Sequence, residues 1–350
     1  MGAVLKKHFK AIFNTIFLIV LIAGTLYFVL CDQNITKIVE TMTDVNQWWM
    51  VLAFVLAFVF VCGESVIMHY LMRLLKRAVR LIRCIKYSFI GFFFSYVTPS
   101  ATGGQPMQMY YMQKDDIDVS VSALVLLLIT VGYKMALLIL SGIAFLCKAD
   151  FILDRLGFVK YILIYGIAVN VIFIAFLCIV IFHESLAKSC IRSIAGFLYR
   201  IHIVKDRRHM QDKLLKMMEP YHEGAVYIRR HPLVIFNVLW MSVLQRAALF
   251  LVPWCVYRAY GLKGIGAFEI VALQTIISLA VDMLPLPGGV GAAEKSFEIM
   301  FESIFGAGLL IPGMLLTRGI SYYFILLFSG VVTIVAHILV IRKRGTKEEC

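Results

Sequence analysis

Three cations stand inside otherwise apolar runs of this chain: Lys134, Arg246 and Arg318. A charge at the centre of a spanning helix costs about 3 kcal/mol on insertion scales, so such residues mark a pathway or a partner. A phosphate headgroup crossing a bilayer needs a compensating cation, and lysine or arginine supplies it. The other reading is that each cation snorkels or pairs with an internal acid. Acids are at hand. Glu294, Glu298 and Glu302 recur at i, i+4 and i+8, an acidic stripe on one helix face with Glu294 expected deepest. A buried Glu294 can carry a coupling proton or meet an ammonium, and can equally close a salt bridge to Arg318 or Lys134. Asp282 and Glu298 are further coupling candidates, and Glu64 is another intramembrane acid. His69 reads as an interfacial histidine. Nothing has the spacing of a metal site, a nucleophile with its base, or a nucleotide loop, so no cofactor is expected. The lack of G-x-x-x-x-G-K-[ST] excludes ATP hydrolysis by this chain.

Two helix breaks position these charges. The first is Val97-Thr-Pro-Ser-Ala-Thr-Gly-Gly-Gln-Pro106, between apolar runs at Tyr87–Tyr96 and Met107–Met112. The second is Asp282-Met-Leu-Pro-Leu-Pro-Gly-Gly-Val-Gly-Ala-Ala-Glu294, between Glu269–Val281 and Ala292–Phe305. Proline lacks an N–H and stops the preceding run, and glycine lets the backbone turn and approach a partner closely. Each flanking run is shorter than the roughly 20 residues a crossing needs. Half-helices meeting at membrane depth point to a transporter's binding site. The amides after Gly103-Gly104 and Gly288-Gly289 are expected to lack intrahelical partners and so to attract an anion. Gln105 and Gln108 share a face and can hydrogen-bond a headgroup.

The wider composition fits. Of 350 residues, 61% are hydrophobic and only 16% charged, with mean hydropathy +0.87, which no soluble domain shows. The net charge of +13 sits mostly beside apolar spans, so it is not a nucleic-acid footprint. Eight scattered cysteines without a C-x-x-C pair read as single buried thiols. The expected fold is an all-α polytopic membrane protein with about six full spans and two broken re-entrant hairpins. The spans run about Ala11–Leu30, Trp48–Met72, Val119–Cys147, Tyr161–Phe182, Leu233–Tyr260 and Leu310–Ile341. Residues 183–231 are a polar linker with an amphipathic pattern at Ile191, Ile194, Leu198 and Ile201. Lysine and arginine concentrate at both termini, at 73–86 and in that linker, which places these segments and both termini in the cytoplasm. The order span, span, hairpin, span then occurs twice, an inverted repeat of about 9–147 and 161–341 in one membrane domain covering 1–350.

The motifs Pro99-Ser-Ala-Thr-Gly-Gly-Gln-Pro106 and Pro285-Leu-Pro-Gly-Gly-Val-Gly-Ala-Ala-Glu294 resemble the paired signatures of the lysylphosphatidylglycerol synthase transmembrane (flippase-like) family. The resemblance covers nearly the whole chain. It implies a flippase-like transporter in a bacterial cytoplasmic membrane, moving an anionic or aminoacylated lipid, or a polyprenyl-phosphate glycolipid, between leaflets. In bifunctional members a cytosolic domain makes the aminoacylated lipid, which confers resistance to cationic peptides. Here nine residues follow the last span, so a standalone member without that domain is expected. The alternatives are a phosphatidylglycerol lysyltransferase acting with a separate lipid-modifying enzyme, and an envelope-synthesis scaffold. Membrane lipids are the expected partners, and oligomeric state is open.

Overall fold

The computed structural model describes residues 35–182 and 218–348, and every regular element among them is helical. In chain order these are α1 (Ile35–Thr43), α2 (Gln47–Leu74), α3 (Leu81–Val97), α4 (Gly104–Lys114), α5 (Val119–Leu156), α6 (Val159–Phe182), α7 (Met218–Arg230), α8 (Pro232–Phe250), α9 (Val252–Ala259), α10 (Ala267–Val281), α11 (Ala292–Arg318) and α12 (Ile325–Glu348). The expected span at Ala11–Leu30 and the amphipathic pattern from Ile191 to Ile201 lie outside the described residues.

Five described stretches are long and apolar enough to cross a membrane: Gln47–Leu74, Val119–Leu156, Val159–Ile181, Pro232–Ala259 and Pro287–Val340. Their outer faces stay apolar, with Val55 and Val59 on α2, Ile172 and Phe176 on α6, and Leu327, Val331 and Ile334 on α12 all exposed. Such faces are at home in hydrocarbon, where every backbone polar group is satisfied within the helix. The chain is a multi-pass membrane protein.

Local chemistry sets the helix ends. Asn46 caps α2 by accepting from the Trp48 N–H at 3.0 Å, and α8 opens on Pro232, whose missing N–H costs nothing there. Two long helices are interrupted where the sequence placed their boundaries. α5 loses helical geometry at Lys148 (φ −140°, ψ 40°), just after Cys147. α11 does so at Gly306 (φ 68°, ψ 166°), just after Phe305. The piece 292–305 is about 21 Å long at 1.5 Å per residue, short of a roughly 30 Å hydrocarbon core. A π turn at Gly319–Phe324 joins α11 to α12, which the sequence pattern did not foretell.

Three hydrophobic clusters hold the bundle. α2, α3, α4 and the first half of α5 enclose Met68, Leu71, Tyr87, Met112 and Leu124. The second half of α5 packs with α9, α10 and α11 around Leu137, Ile277, Phe301 and Met314. Phe60, Phe92, Val252 and Ile320 form the third, from α2, α3, α9 and the π turn. Close helix approach in a bilayer relies on small residues rather than on expulsion of water. Gly63 provides one such point: a Cβ there would lie 2.9 Å from Cγ of Gln245 on α8.

The α3–α4 hairpin is tied at its open end. Asp115, just after α4, accepts from the Lys86 ammonium and from the Tyr87 hydroxyl at 2.6 Å. Burial alone would raise the Asp115 pKa, but those two donors and the Lys86 charge outweigh it and hold the carboxyl below its usual range.

Candidate functional site

The two breaks meet face to face. Ser100 Oγ donates to the Leu284 carbonyl at 3.3 Å, and the Tyr322 hydroxyl donates to the Tyr96 carbonyl at 3.3 Å. The rings of Tyr96 and Tyr322 lie 4.8 Å apart. Val290, Tyr322 and Leu326 pack against Phe93, Tyr96 and Val97, so one small cluster joins the breaks.

Each break is built by its own residues. In the second, Gly288 has φ 59°, and a Cβ on it would fall 2.0 Å from the Tyr322 ring, so glycine is required twice over. Gly291 N–H donates to Glu294 Oε2 at 2.7 Å, which caps α11. In the first break the left-handed residues are Ser100 (φ 50°) and Ala101 (φ 55°), whereas Gly103 is right-handed. Gly104 serves close packing instead: a Cβ there would lie 2.0 Å from Ser95 Oγ.

Between the breaks lies a cavity of about 510 Å³, lined by Glu64, Tyr133, Lys134, Arg246, Asp282 and Arg318 among others. Five of the charges in and behind the cavity form two separate groups, Lys134–Asp282–Arg246 and Arg318–Glu294. Lys134 pairs with Asp282 Oδ2, and its ammonium also stands 3.2 Å from Met283 Sδ. Arg246 Nη2 lies 3.7 Å from the other oxygen of Asp282. The Arg246 guanidinium sits 3.3 Å from the centre of the Tyr133 ring, a cation–π contact. Arg318 Nε donates to Glu294 Oε1 at 2.7 Å, its Nη2 donates to the Gly288 carbonyl at 3.2 Å, and its guanidinium lies 4.6 Å from the Tyr322 ring centre. One arginine therefore clamps the break, its cap and the tyrosine that bridges to the first break.

Lys134, Arg246, Arg318, Gln105, Gln108, Gly288, Gly289 and Asp282, all singled out from sequence, line this one cavity. Glu294 stands behind Arg318, only 3% exposed, in the salt bridge that was one of its two expected readings. Glu298 turns away and pairs with Lys295 at 2.8 Å. Of the amides expected to be free, those after Gly288-Gly289 are engaged: Val290 N–H donates to the Pro287 carbonyl at 3.2 Å and Gly291 N–H to Glu294 Oε2 at 2.7 Å. In the first break Gly103 N–H, ahead of the expected amides, donates to Thr98 Oγ1 at 2.8 Å. The second turn consumes its own donors, so side-chain cations dominate that side of the cavity. The two glutamines are also engaged, Gln105 with Thr130 and Gln108 with Glu64 at 2.7 Å. Sequence reading missed Tyr133, Tyr96 and Tyr322. A signal existed for two of them: Tyr133 adjoins Lys134, and Tyr322 follows Arg318 by four residues, on the same helix face.

Comparison with known proteins agrees with this architecture. The family model described as lysylphosphatidylglycerol synthase TM region matches residues 15–329, nearly the whole chain. None of the curated proteins matches it.

Proposed function

The chain belongs to the lysylphosphatidylglycerol synthase TM region family, and from that membership we propose that it is a flippase-like transporter moving a phosphate-bearing lipid headgroup between leaflets. One observation carries the reading: three cations of apolar helices converge on a cavity bounded by two helix breaks. A water-filled cavity between half-helices is where irregular backbone is tolerated at membrane depth. A phosphate entering it meets cations whose side chains are only 10%, 4% and 15% exposed, so attraction is stronger than in bulk water.

In this proposal α3–α4 and α10 with the 292–305 part of α11 are re-entrant hairpins. They belong to inverted repeats spanning about 9–147 and 161–341, with both termini cytoplasmic. Rocking of one repeat against the other alternates access to the cavity, and the Ser100–Leu284 and Tyr322–Tyr96 contacts break and re-form between the repeats. Lys134, Arg246 and Arg318 are the headgroup-binding cations, and Asp282 and Glu294 hold them when the cavity is empty.

Reconstitution into vesicles tests the reading. A tail-labelled lipid reduced from one side only, by an impermeant reductant, should reach full reduction in protein-containing vesicles and stop at the outer leaflet in empty ones. A plateau no higher than that of empty vesicles for every one of the anionic, aminoacylated, zwitterionic and polyprenyl-phosphate probes would overturn it.

A further inference from the structure

Six cations crowd the turn from α2 into α3: Arg73, Lys76, Arg77, Arg80, Arg83 and Lys86. Two are spent within the chain, Arg77 on Asp118 just ahead of α5 and Lys86 on Asp115 just after α4. The other four are exposed and have no ion-pair partner among the described residues. Between Arg80 and Arg83, Leu81 and Ile82 are exposed as well, at 40% and 68%. The turn that presents them is fixed. Lys76, left-handed at φ 55°, donates its N–H to the Arg73 carbonyl at 3.0 Å, and Arg77 N–H donates to the Met72 carbonyl at 2.9 Å. Val79 is buried beneath the turn, and its carbonyl meets His69 Nδ1 at 2.8 Å.

The depth of the turn follows from α2. An exposed apolar stripe runs along that helix from Trp48 through Val55, Val59 and Val66, and it ends at Arg73. At 1.5 Å per residue Trp48 and Arg73 are about 38 Å apart, more than the roughly 30 Å hydrocarbon core and less than the whole bilayer. The turn therefore lies at headgroup depth, where phosphates meet the first methylenes. Membrane orientation asks only for positive charge in a loop. It does not ask for a fixed turn, nor for exposed apolar side chains among the charges.

We propose that the α2–α3 turn is a binding site for anionic phospholipid, outside the cavity and independent of whatever the cavity carries. Arg73, Lys76, Arg80 and Arg83 meet the headgroup charge, and Leu81 and Ile82 enter the acyl boundary beside them. A soluble acidic partner would have to displace lipid to cover Leu81 and Ile82, so lipid is the favoured occupant. α3 starts at Leu81, and the Arg77 and Lys86 pairs tie the turn to α5 and to the α3–α4 hairpin. Headgroups bound here therefore brace the open end of that hairpin.

The test is thermal stabilisation of the purified full chain in a neutral detergent, titrated with dioctanoyl phosphatidylglycerol or dioctanoyl phosphatidylcholine. It needs no transport. Each cation at a membrane surface is worth about a fivefold gain in affinity for anionic lipid. The wild type should therefore bind phosphatidylglycerol at least about tenfold tighter than phosphatidylcholine. Arg73→Gln/Arg80→Gln, which touches only exposed side chains, should remove most of that preference, and Arg73→Lys/Arg80→Lys should keep it. Lys160→Gln/Lys263→Gln takes the same charge from exposed positions elsewhere and should also keep it. A wild type indifferent to lipid charge overturns the proposal. So does a preference untouched by Arg73→Gln/Arg80→Gln: the anionic lipid then acts in the cavity, and the exposed cations are left for an acidic protein. Should the preference behave as expected while vesicles show no lipid crossing, the site stands and the transporter reading falls.

Discussion

Replacing Asp282 by asparagine should be the most damaging single change in the cavity. One oxygen of Asp282 pairs with Lys134 and the other faces Arg246 at 3.7 Å, with the cationic side chains only 10% and 4% exposed. Removing the carboxylate leaves two buried cations confronting each other. Breaking a buried pair in this way costs about 3–5 kcal/mol. Lys134→Gln should cost less, about 1–3 kcal/mol, because Asp282 can turn to Arg246. Arg246→Gln should cost least, about 1 kcal/mol, since it removes an under-bonded guanidinium and its contact with Tyr133 while the Lys134–Asp282 pair survives. The Lys134→Gln/Asp282→Asn double variant should recover part of the Asp282→Asn loss, because one repelling cation is gone. Thermal or denaturant unfolding of the purified variants in one detergent measures the series. If Arg246→Gln destabilises as much as Asp282→Asn, the looser Arg246–Asp282 pair matters as much as the Lys134–Asp282 pair and the ranking fails.

Further outcomes follow from other parts of the structure. Gly288→Ala should lose about 2–4 kcal/mol, from left-handed backbone strain plus displacement of the Tyr322 ring, and Gly308→Ala, with open space around it, should lose far less; comparable unfolding midpoints would contradict this. Glu294→Gln removes the charge that answers Arg318, while its amide oxygen can still accept the Gly291 N–H, and should cost about 3 kcal/mol by the same unfolding measurement; an unchanged midpoint would deny that the pair holds the break. The Asp115 carboxyl titrates near 3.8 when unfolded and lower when folded, so its contribution is complete above that value and fades as pH falls through the folded pKa. Asp115→Asn should therefore flatten the stability profile below about pH 4, and a profile identical to the wild type would refute it. Under the transporter reading, incubation with lysyl-tRNA and phosphatidylglycerol should yield no lysylated lipid from this chain; product formation would favour the lysyltransferase reading.

Much of this was legible in the sequence, for identifiable reasons. The helix boundaries at Cys147 and Phe305 could be read because Lys148 and Gly306 interrupt strongly apolar runs. The gathering of Lys134, Arg246, Arg318 and Asp282 was foreshadowed by the cost of a charge in hydrocarbon, which makes each exception informative. Pairing was a different matter. That Lys134 takes Asp282 while Arg318 takes Glu294 depends on how α5, α10 and α11 cross, and no local pattern encodes that. The amides of the second break misled because helix-start reasoning counts donors but does not see a Glu294 carboxylate folding back onto one of them. The π turn after Arg318 escaped for a similar reason, since one inserted residue leaves the apolar pattern on both sides intact.

The central claim is that the cavity between the two breaks carries a lipid headgroup. The most direct test is the rate at which tail-labelled lipid crosses vesicles containing equal amounts of folded wild type and Arg246→Gln. Crossing should be at least about tenfold slower for the variant, with an unfolding midpoint close to the wild type. A variant that folds normally and moves lipid at the wild-type rate would contradict it.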